Sequence, residues 1–297
     1  MRFHAGAFPA LLPLALFFAL GCSASNFRGA PCVDCAEAGA GGGSDGAVDG
    51  TVPEGSTMDV GAPPDDGAAP PDAEGGAGSG CPTKGGKMRR ITQGAVNFCI
   101  DQIEVTGQTY NIFYQEAGKG LAAPLKGPDC STKTAANQPP MGDLVPVTEV
   151  DWCDAFAFCA WAGKRLCGRV GGGPLVGTSD RADPGKNEWL YACSNGGSLA
   201  YPYGNAYQPA VCNDTGSGPR AFNSGTNQCT GGFTGLHDMS GNVREWISAC
   251  AGMPSDACVS VGGAFGDNAP QLTCASQSAN LLRTSTTGDV GFRCCAD

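Results

Sequence analysis

The sequence predicts a disulfide-rich domain that mixes helices with short strands and carries much irregular backbone. Three observations predict it. Seventeen cysteines stand in 297 residues, and such usage behind an export signal means bridges rather than thiol chemistry. Stretches beginning at Asp151 and Asp183 carry helix caps followed by apolar residues at helical spacing. Around them run long segments rich in Gly, Asn and Ser, with 47 glycines in all, which punctuate the chain too often for long regular elements.

Taken in order, Phe98-Cys99-Ile100 reads as a short strand. Thr106 is an N-cap for a run in which Tyr110, Phe113 and Tyr114 recur at helical spacing until Gly118-Lys119 stop it. Residues 119–147, rich in Pro, Lys and Gly, read as loop. The clearest helix follows. Asp151 caps it, Asp154 sits near its positive N-terminal dipole, and Trp152, Phe156 and Cys159 share one face. Gly163 ends it, with Lys164-Arg165 beside the negative end, and Leu166-Cys167-Gly168 turns into a loop. A second helix is expected from Asp183-Pro184, cap and first-turn proline, through Glu188 to Cys193 and Asn195-Gly196-Gly197. Tyr201 to Asn205 reads as a rigid aromatic turn, followed by Gly/Asn/Ser-rich chain to 234.

Gly235 to Trp246 reads Gly-Leu-His-Asp-Met-Ser-Gly-Asn-Val-Arg-Glu-Trp. Two glycines, an asparagine and an aspartate make a poor helix or strand, yet Leu236, Met239, Val243 and Trp246 would pin the segment to a core. A loop held this way can aim the carboxylates of Asp238 and Glu245 and the carbonyls between them inward, the hard-oxygen chemistry that calcium prefers. A buried turn whose polar groups satisfy one another is the competing reading. The chain closes through Val261-Gly262-Gly263-Ala264-Phe265 and Gly291-Phe292-Arg293-Cys294-Cys295.

The N-terminus has another character. Arg2, the apolar run from Ala10 to Leu20 and then Gly21-Cys22 form a charged start and a hydrophobic stretch too short for a finished span. Residues 1–21 resemble a bacterial lipoprotein signal, with Cys22 the acylated N-terminus and membrane attachment through that lipid alone. Residues 22–80 are mostly Gly, Ala, Pro, Ser and Asp and bury too little apolar surface to offset their ordering entropy, so they are expected to be a disordered tether. Cys32-Val33-Asp34-Cys35 within it reads as a small local disulfide. The net charge of −10 is mostly tether. Residues 81–297, the folded domain, carry 18 acidic and 16 basic residues with no polybasic run, which argues against a nucleic-acid partner.

Histidine narrows the chemistry. Only His4, in the signal, and His237 exist, which excludes multi-histidine iron and zinc sites from the mature chain. His237 is either one half of a Cys/His or Ser/His pair or a structural residue of its loop.

Taken together, Glu104-Val105-Thr106, Asp151-Trp152, Ala162 to Leu166, Glu188-Trp189-x-Tyr191, Tyr203-Gly204-Asn205, the segment Gly235–Trp246, Gly262-Gly263 and Gly291 to Cys294 stand in one order over most of the domain. The series resembles the formylglycine-generating enzyme (sulfatase-modifying factor) family, whose signature is Gly-Leu-Tyr-Asp/Asn-x-x-Gly-Asn-x-x-Glu-Trp. The resemblance implies a single compact α+β domain related to C-type-lectin-like folds. It implies bridges Cys159–Cys294 and Cys193–Cys274, while Cys212–Cys229 and Cys250–Cys258 are expected from proximity alone. It implies calcium held by Asp238 and Glu245 through carboxylates and by Gly241 and Val243 through carbonyls. A weaker second ion would involve Asn213 and the Asp214 carbonyl, but its later aspartate has no counterpart here.

Enzymes of the family oxidise a sulfatase cysteine to formylglycine with copper(I) held by two cysteines. Those positions are Asp267 and Leu272 in this chain, and no cysteine lies from Gly263 through Thr273. Copper(I) is soft and needs thiolates, so copper is not expected. Ala264 stands where the family has serine, and Arg244 where tryptophan is common. The leading expectation is a binding or interaction domain for a peptide, protein or glycan, its surface made by loops 196–234 and 264–290. The alternatives are a formylglycine-generating oxidase using other cysteines, such as Cys250 or Cys258, or another reaction with Asp267 as base.

Overall fold

The structure is a computed structural model that describes residues 80–297, apart from 129, 141–143, 215, 223–228 and 251–256. The signal, Cys22, the Cys32–Cys35 pair and the tether up to residue 79 lie outside the described residues.

Strands β1 (Met88–Gln93) and β2 (Val96–Asp101) form a hairpin, extending the short strand expected at 98–100. Helix α1 (Gly107–Phe113) begins where Thr106 Oγ1 accepts from Thr109 N, and a π-helical turn, Tyr114–Gly118, closes it. Helix α2 (Trp152–Trp161) carries a full capping box. Asp151 accepts from Asp154 N and Asp154 accepts from Asp151 N, so Asp154 satisfies an orphan donor as well as facing the dipole. The two-residue strand β3 (Arg165–Leu166) follows.

The second helical region departs from expectation. Helix α3 (Gly177–Ala182) ends at Asp183, and helix α4 (Glu188–Cys193) is capped by Asn187, whose side chain accepts from Leu190 N. Asp183-Pro184 forms the turn between them. Asn187 holds the cap because its amide also donates to Arg181 O, which fixes the turn from both sides. Lys164 and Arg165 do not serve the end of α2. Lys164 pairs with Asp101 at 2.6 Å, and Arg165 grips both oxygens of Glu188 at 2.6 Å.

The remaining strands are β4 (Thr230–Gly231), β5 (Phe233–His237), β6 (Arg244–Cys250), β7 (Ala257–Val261), β8 (Gln277–Leu282), β9 (Val290–Phe292) and β10 (Cys294–Ala296). Among the described residues they form sheets ordered β1-β2-β10-β3, β4-β5 and β8-β7-β6-β9. β6 runs antiparallel to β7 and parallel to β9. The segment expected to be wholly irregular is therefore strand at both ends, and only Asp238–Val243 is free of ladder pairing. Its pins are as expected, with Leu236, Met239, Val243 and Trp246 all buried.

One apolar cluster packs α1 and α2 onto Trp246 and Phe292, and a second packs α4 onto Leu236, Met239 and Ile247. Seven bridges join all fourteen cysteines from Cys81 to Cys295 in pairs: 81–99, 130–153, 159–294, 167–295, 193–274, 212–229 and 250–258. Cys159–Cys294 closes a separation of 135 residues, worth about 5 kcal/mol on the chain-entropy argument.

Candidate functional site

Two neighbouring places on the β6–β7 frame carry the residues singled out from the sequence. The first is the turn Asp238–Val243. Asp238, Gly241 and Asn242 all have left-handed backbone, with φ of 54°, 70° and 58°, and this curls the chain tightly between β5 and β6. At Gly241 a Cβ would lie 2.6 Å from Asn213 O, so only glycine lets the two segments meet. Asn242 N donates to that same carbonyl, and Asn213 Nδ2 donates to Asn242 Oδ1. The two stretches expected to hold ions are thus in contact.

Beneath the turn lies a buried charge cluster. Arg293, with no exposed surface, donates through Nε and Nη2 to both oxygens of Glu245 at 2.7 Å, and to the carbonyls of Asp101, His237 and Asp238. Trp189 Nε1 also donates to Glu245, at 2.7 Å. Glu104 lies in the same cluster and accepts from Asn242 Nδ2. Burial, then the Asp238 charge, push the Glu104 carboxyl well above the usual carboxylate range, against the pull of Arg293. Three buried carboxylates, Glu104, Asp238 and Glu245, therefore share one guanidinium.

The donors fit calcium in element and charge, since all are oxygens and the carboxylates outnumber the buried cation. Among the described residues no three His, Cys, Asp or Glu side chains are arranged to hold a metal ion, so calcium here would also need the carbonyls of Gly241 and Val243. Among the described residues Glu245 Oε1 accepts from Arg293 alone, which leaves it acceptor capacity. At the weaker position, Asp214 spends its carboxylate on Tyr207 Oη and Ala210 N, while buried Asn213 Oδ1 has no hydrogen-bond partner among the described residues.

His237 stands apart from these donors. It is half-buried, its ring edge-on to Phe222, and burial followed by Arg293 lower its pKa from the ordinary value. No Ser or Cys side chain hydrogen-bonds it among the described residues, so it forms no nucleophile–base pair there.

The second place is the turn after β7. Gly262 and Gly263 have φ of 91° and 70°. A Cβ on Gly263 would lie 2.6 Å from Gln271 O, because the loop 264–274 folds back closely over it. Ser240 Oγ donates to Leu272 O at 2.6 Å, and the Cys193–Cys274 bridge ties down the loop's end. Asp267 accepts from Ala264 N at 2.8 Å and from Arg244 Nη2 on both oxygens, at 2.7 and 2.6 Å. Arg244 also pairs with Asp289. Leu272 is buried in the core. The positions that would hold copper thus contain a carboxylate engaged by a guanidinium and a packed hydrocarbon, while Cys274, Cys250 and Cys258 are all in bridges. These residues do not fit copper(I). Asp267 serves to anchor the loop rather than to stand free as a base.

A cleft of about 210 Å³ remains beside this loop, lined by Arg244, Ser260, Gln271, Ser276, Gln277 and Ser278. Apart from Arg244, none of these was singled out in the sequence. The Gly-Gly pair marks where the cleft begins, but no local pattern identifies its hydroxyls and amides.

A family model described as "Sulfatase-modifying factor enzyme 1-like domain" matches residues 77–297. The chain is 29% identical over 203 residues to the mouse protein named formylglycine-generating enzyme, covering 58% of this chain and 48% of that one. It is 33% identical over 119 residues to the bovine protein named inactive C-alpha-formylglycine-generating enzyme 2, covering 35% of this chain and 33% of that one. The matched part thus spans half or less of the length of these relatives. Among solved structures, PvdO from Pseudomonas aeruginosa aligns with a TM-score of 0.46 at 19% identity, over 68% of this chain and 80% of that one. With 77–297 matched, the chain belongs to the sulfatase-modifying factor family.

Proposed function

We propose that this domain is a binding or interaction module that uses the family scaffold without the family's copper oxidation. One observation carries the reading. All fourteen cysteines from Cys81 onward are bonded in pairs, and the copper positions hold Asp267, on Arg244, and buried Leu272. A soft cation has no thiolate to bind there. The relative named as inactive supports the idea that the scaffold persists without the oxidation. A rigid, bridged frame lowers the ordering cost of recognition by its loops, and the polar cleft beside 264–274 is the surface such a module would use.

The reading includes calcium as a structural ion at the turn Asp238–Val243. Asp238 and Glu245 would hold it by carboxylates and Gly241 and Val243 by carbonyls, and the ion would offset the surplus of buried negative charge. It also includes export, with the domain carried by a tether from a lipid on Cys22. The bridges suit an oxidising, extracytoplasmic compartment, and among the described residues no helix is long and apolar enough to cross a membrane.

The test is direct. The full chain, with disulfides intact, is incubated with copper(I), oxygen and a Cys-x-Pro-x-Arg peptide, and the peptide is weighed for aldehyde. No aldehyde is expected. Aldehyde formation would establish the alternative, a formylglycine-generating oxidase acting on an exported protein, and would end the binding-module reading.

A further inference from the structure

Cys250 and Cys258 stand directly opposite one another in the antiparallel β6–β7 ladder and are bridged there. Such a ladder sets opposite Cα atoms about 4.5–5.5 Å apart, whereas a disulfide prefers about 5.5–6 Å. The two Cα atoms lie 4.0 Å apart, closer than in the other six bridges, which span 4.5–5.9 Å. Ladder and bridge thus compete for the spacing, and the register shifts between Trp246 and Cys250. A bridge held off its preferred separation is the more easily reduced.

The same bridge can be reached. Of the fourteen bridged cysteines only Cys81 and Cys250 are half-buried, and the other twelve are buried. Cys250 lines a cleft of about 350 Å³ walled by Trp152, Phe156, Leu166 and Pro174, within the roughly 300–1,000 Å³ of pockets that admit small molecules. Its partner Cys258 has no exposed surface, so a nucleophile meets Cys250. A recessed sulfur suits a low-molecular-weight thiol better than a cysteine on the surface of a folded protein. The fold also tolerates the opening. This bridge closes a separation of 8 residues, against 17–135 for the others, so it contributes least on the chain-entropy argument. The pairs Glu245–Val261 and Trp246–Ser260 still hold β6 to β7.

We propose that Cys250–Cys258 is a thiol-exchange site, opened in the folded protein by a low-molecular-weight thiol that enters this cleft. The incoming thiolate bonds to Cys250 Sγ, the Cys250–Cys258 bond breaks, and Cys258 leaves as a thiolate that takes a proton from water. A second thiol displaces the first as a disulfide and leaves Cys250 as a thiol. Two small thiols are thereby oxidised to one disulfide while the bridge is reduced to two thiols. Cys250 lies at the end of β6 opposite Arg244, about 20 Å along the strand, so the freed thiols do not fall at the Asp267 and Leu272 positions. The proposal is independent of the binding-module reading.

The test equilibrates the folded full chain with graded mixtures of reduced and oxidised glutathione, blocks free thiols with an alkylating agent, and weighs the digest. Cys81–Cys99 is the internal control, since Cys81 is also half-buried but its bridge spans a relaxed 5.9 Å. Cys250 and Cys258 should become alkylated at a ratio of squared thiol to disulfide at least tenfold below that which opens Cys81–Cys99. The chain should keep a cooperative unfolding transition at that point. In Cys258→Ala, oxidised glutathione should mark Cys250 as a mixed disulfide without prior unfolding. Opening of Cys81–Cys99 at the same or a lower ratio, loss of the unfolding transition together with the bridge, or an unmarked Cys250 in a folded Cys258→Ala would each overturn the proposal. The titration of the parent chain decides the matter even if that variant does not fold.

Discussion

Replacing Arg293 with Met removes the one buried cation from a cluster of three buried carboxylates. The parent side chain makes two hydrogen bonds of 2.7 Å to Glu245, 3.1 Å to Asp101 O and 3.0 Å to His237 O. Removing one partner of a buried ion pair costs about 3–5 kcal/mol, because the other charge stays buried without compensation. Against a total stability of about 5–15 kcal/mol, that is a large fraction. At about 2–4 °C per kcal/mol for a domain of this size, the melting temperature should fall by roughly 6–20 °C. The assay is urea unfolding with disulfides intact, in the same calcium buffer for both proteins. The double variant Arg293→Met/Glu245→Gln should recover part of the loss, since it removes a charge together with its partner. A loss below about 1 kcal/mol, or a double variant no better than the single one, would show that Arg293 does not hold the cluster together electrostatically.

Removing calcium with a chelator should lower the melting temperature, because an ion bound only by the folded state at a hundred times its Kd contributes about 2.7 kcal/mol. Asp238→Ala should abolish that response, and a chelator response equal in parent and variant would remove calcium from this turn. Asp154 provides a pH test. Burial first, and then the Asp151 charge, raise its pKa from 3.8 to about 6. Between those values the folded chain holds a proton that the unfolded chain releases, so this group's contribution to stability is lost as pH rises through the window. Asp154→Asn should flatten that fall in a urea series from pH 4 to 7, and an unchanged slope would contradict the assignment.

What the sequence revealed was chiefly what neighbours in the chain decide. Thr106 and Asp151 were legible as caps because a cap's partner lies three residues away. Asp183-Pro184 misled because the same local grammar also describes a turn, and the bond from Asn187 to Arg181 O is what moves the cap. Lys164 and Arg165 looked like dipole partners of the helix they follow, but Asp101 and Glu188 arrive from 63 and 23 residues away. No periodicity reports such pairs. Leu236, Met239, Val243 and Trp246 were readable as pins, whereas the strands at both ends of their segment depend on β4, β7 and β9. The bridges 159–294 and 193–274 came from resemblance and not from spacing. In the candidate site, Asp238, Glu245, Asp267 and Leu272 were nameable in advance. Glu104 and Arg293 were visible only as pieces of motifs, because the contacts that gather them come from distant segments.

A domain whose cysteines are all bridged offers no thiol to a soft metal, and counting free thiols tests this most directly. The full chain is denatured without reductant in the presence of an alkylating agent, digested and weighed. No cysteine from Cys81 to Cys295 is expected to be alkylated, as seven bridges require. Stoichiometric alkylation of any two of these cysteines, such as Cys193 and Cys274, would contradict it.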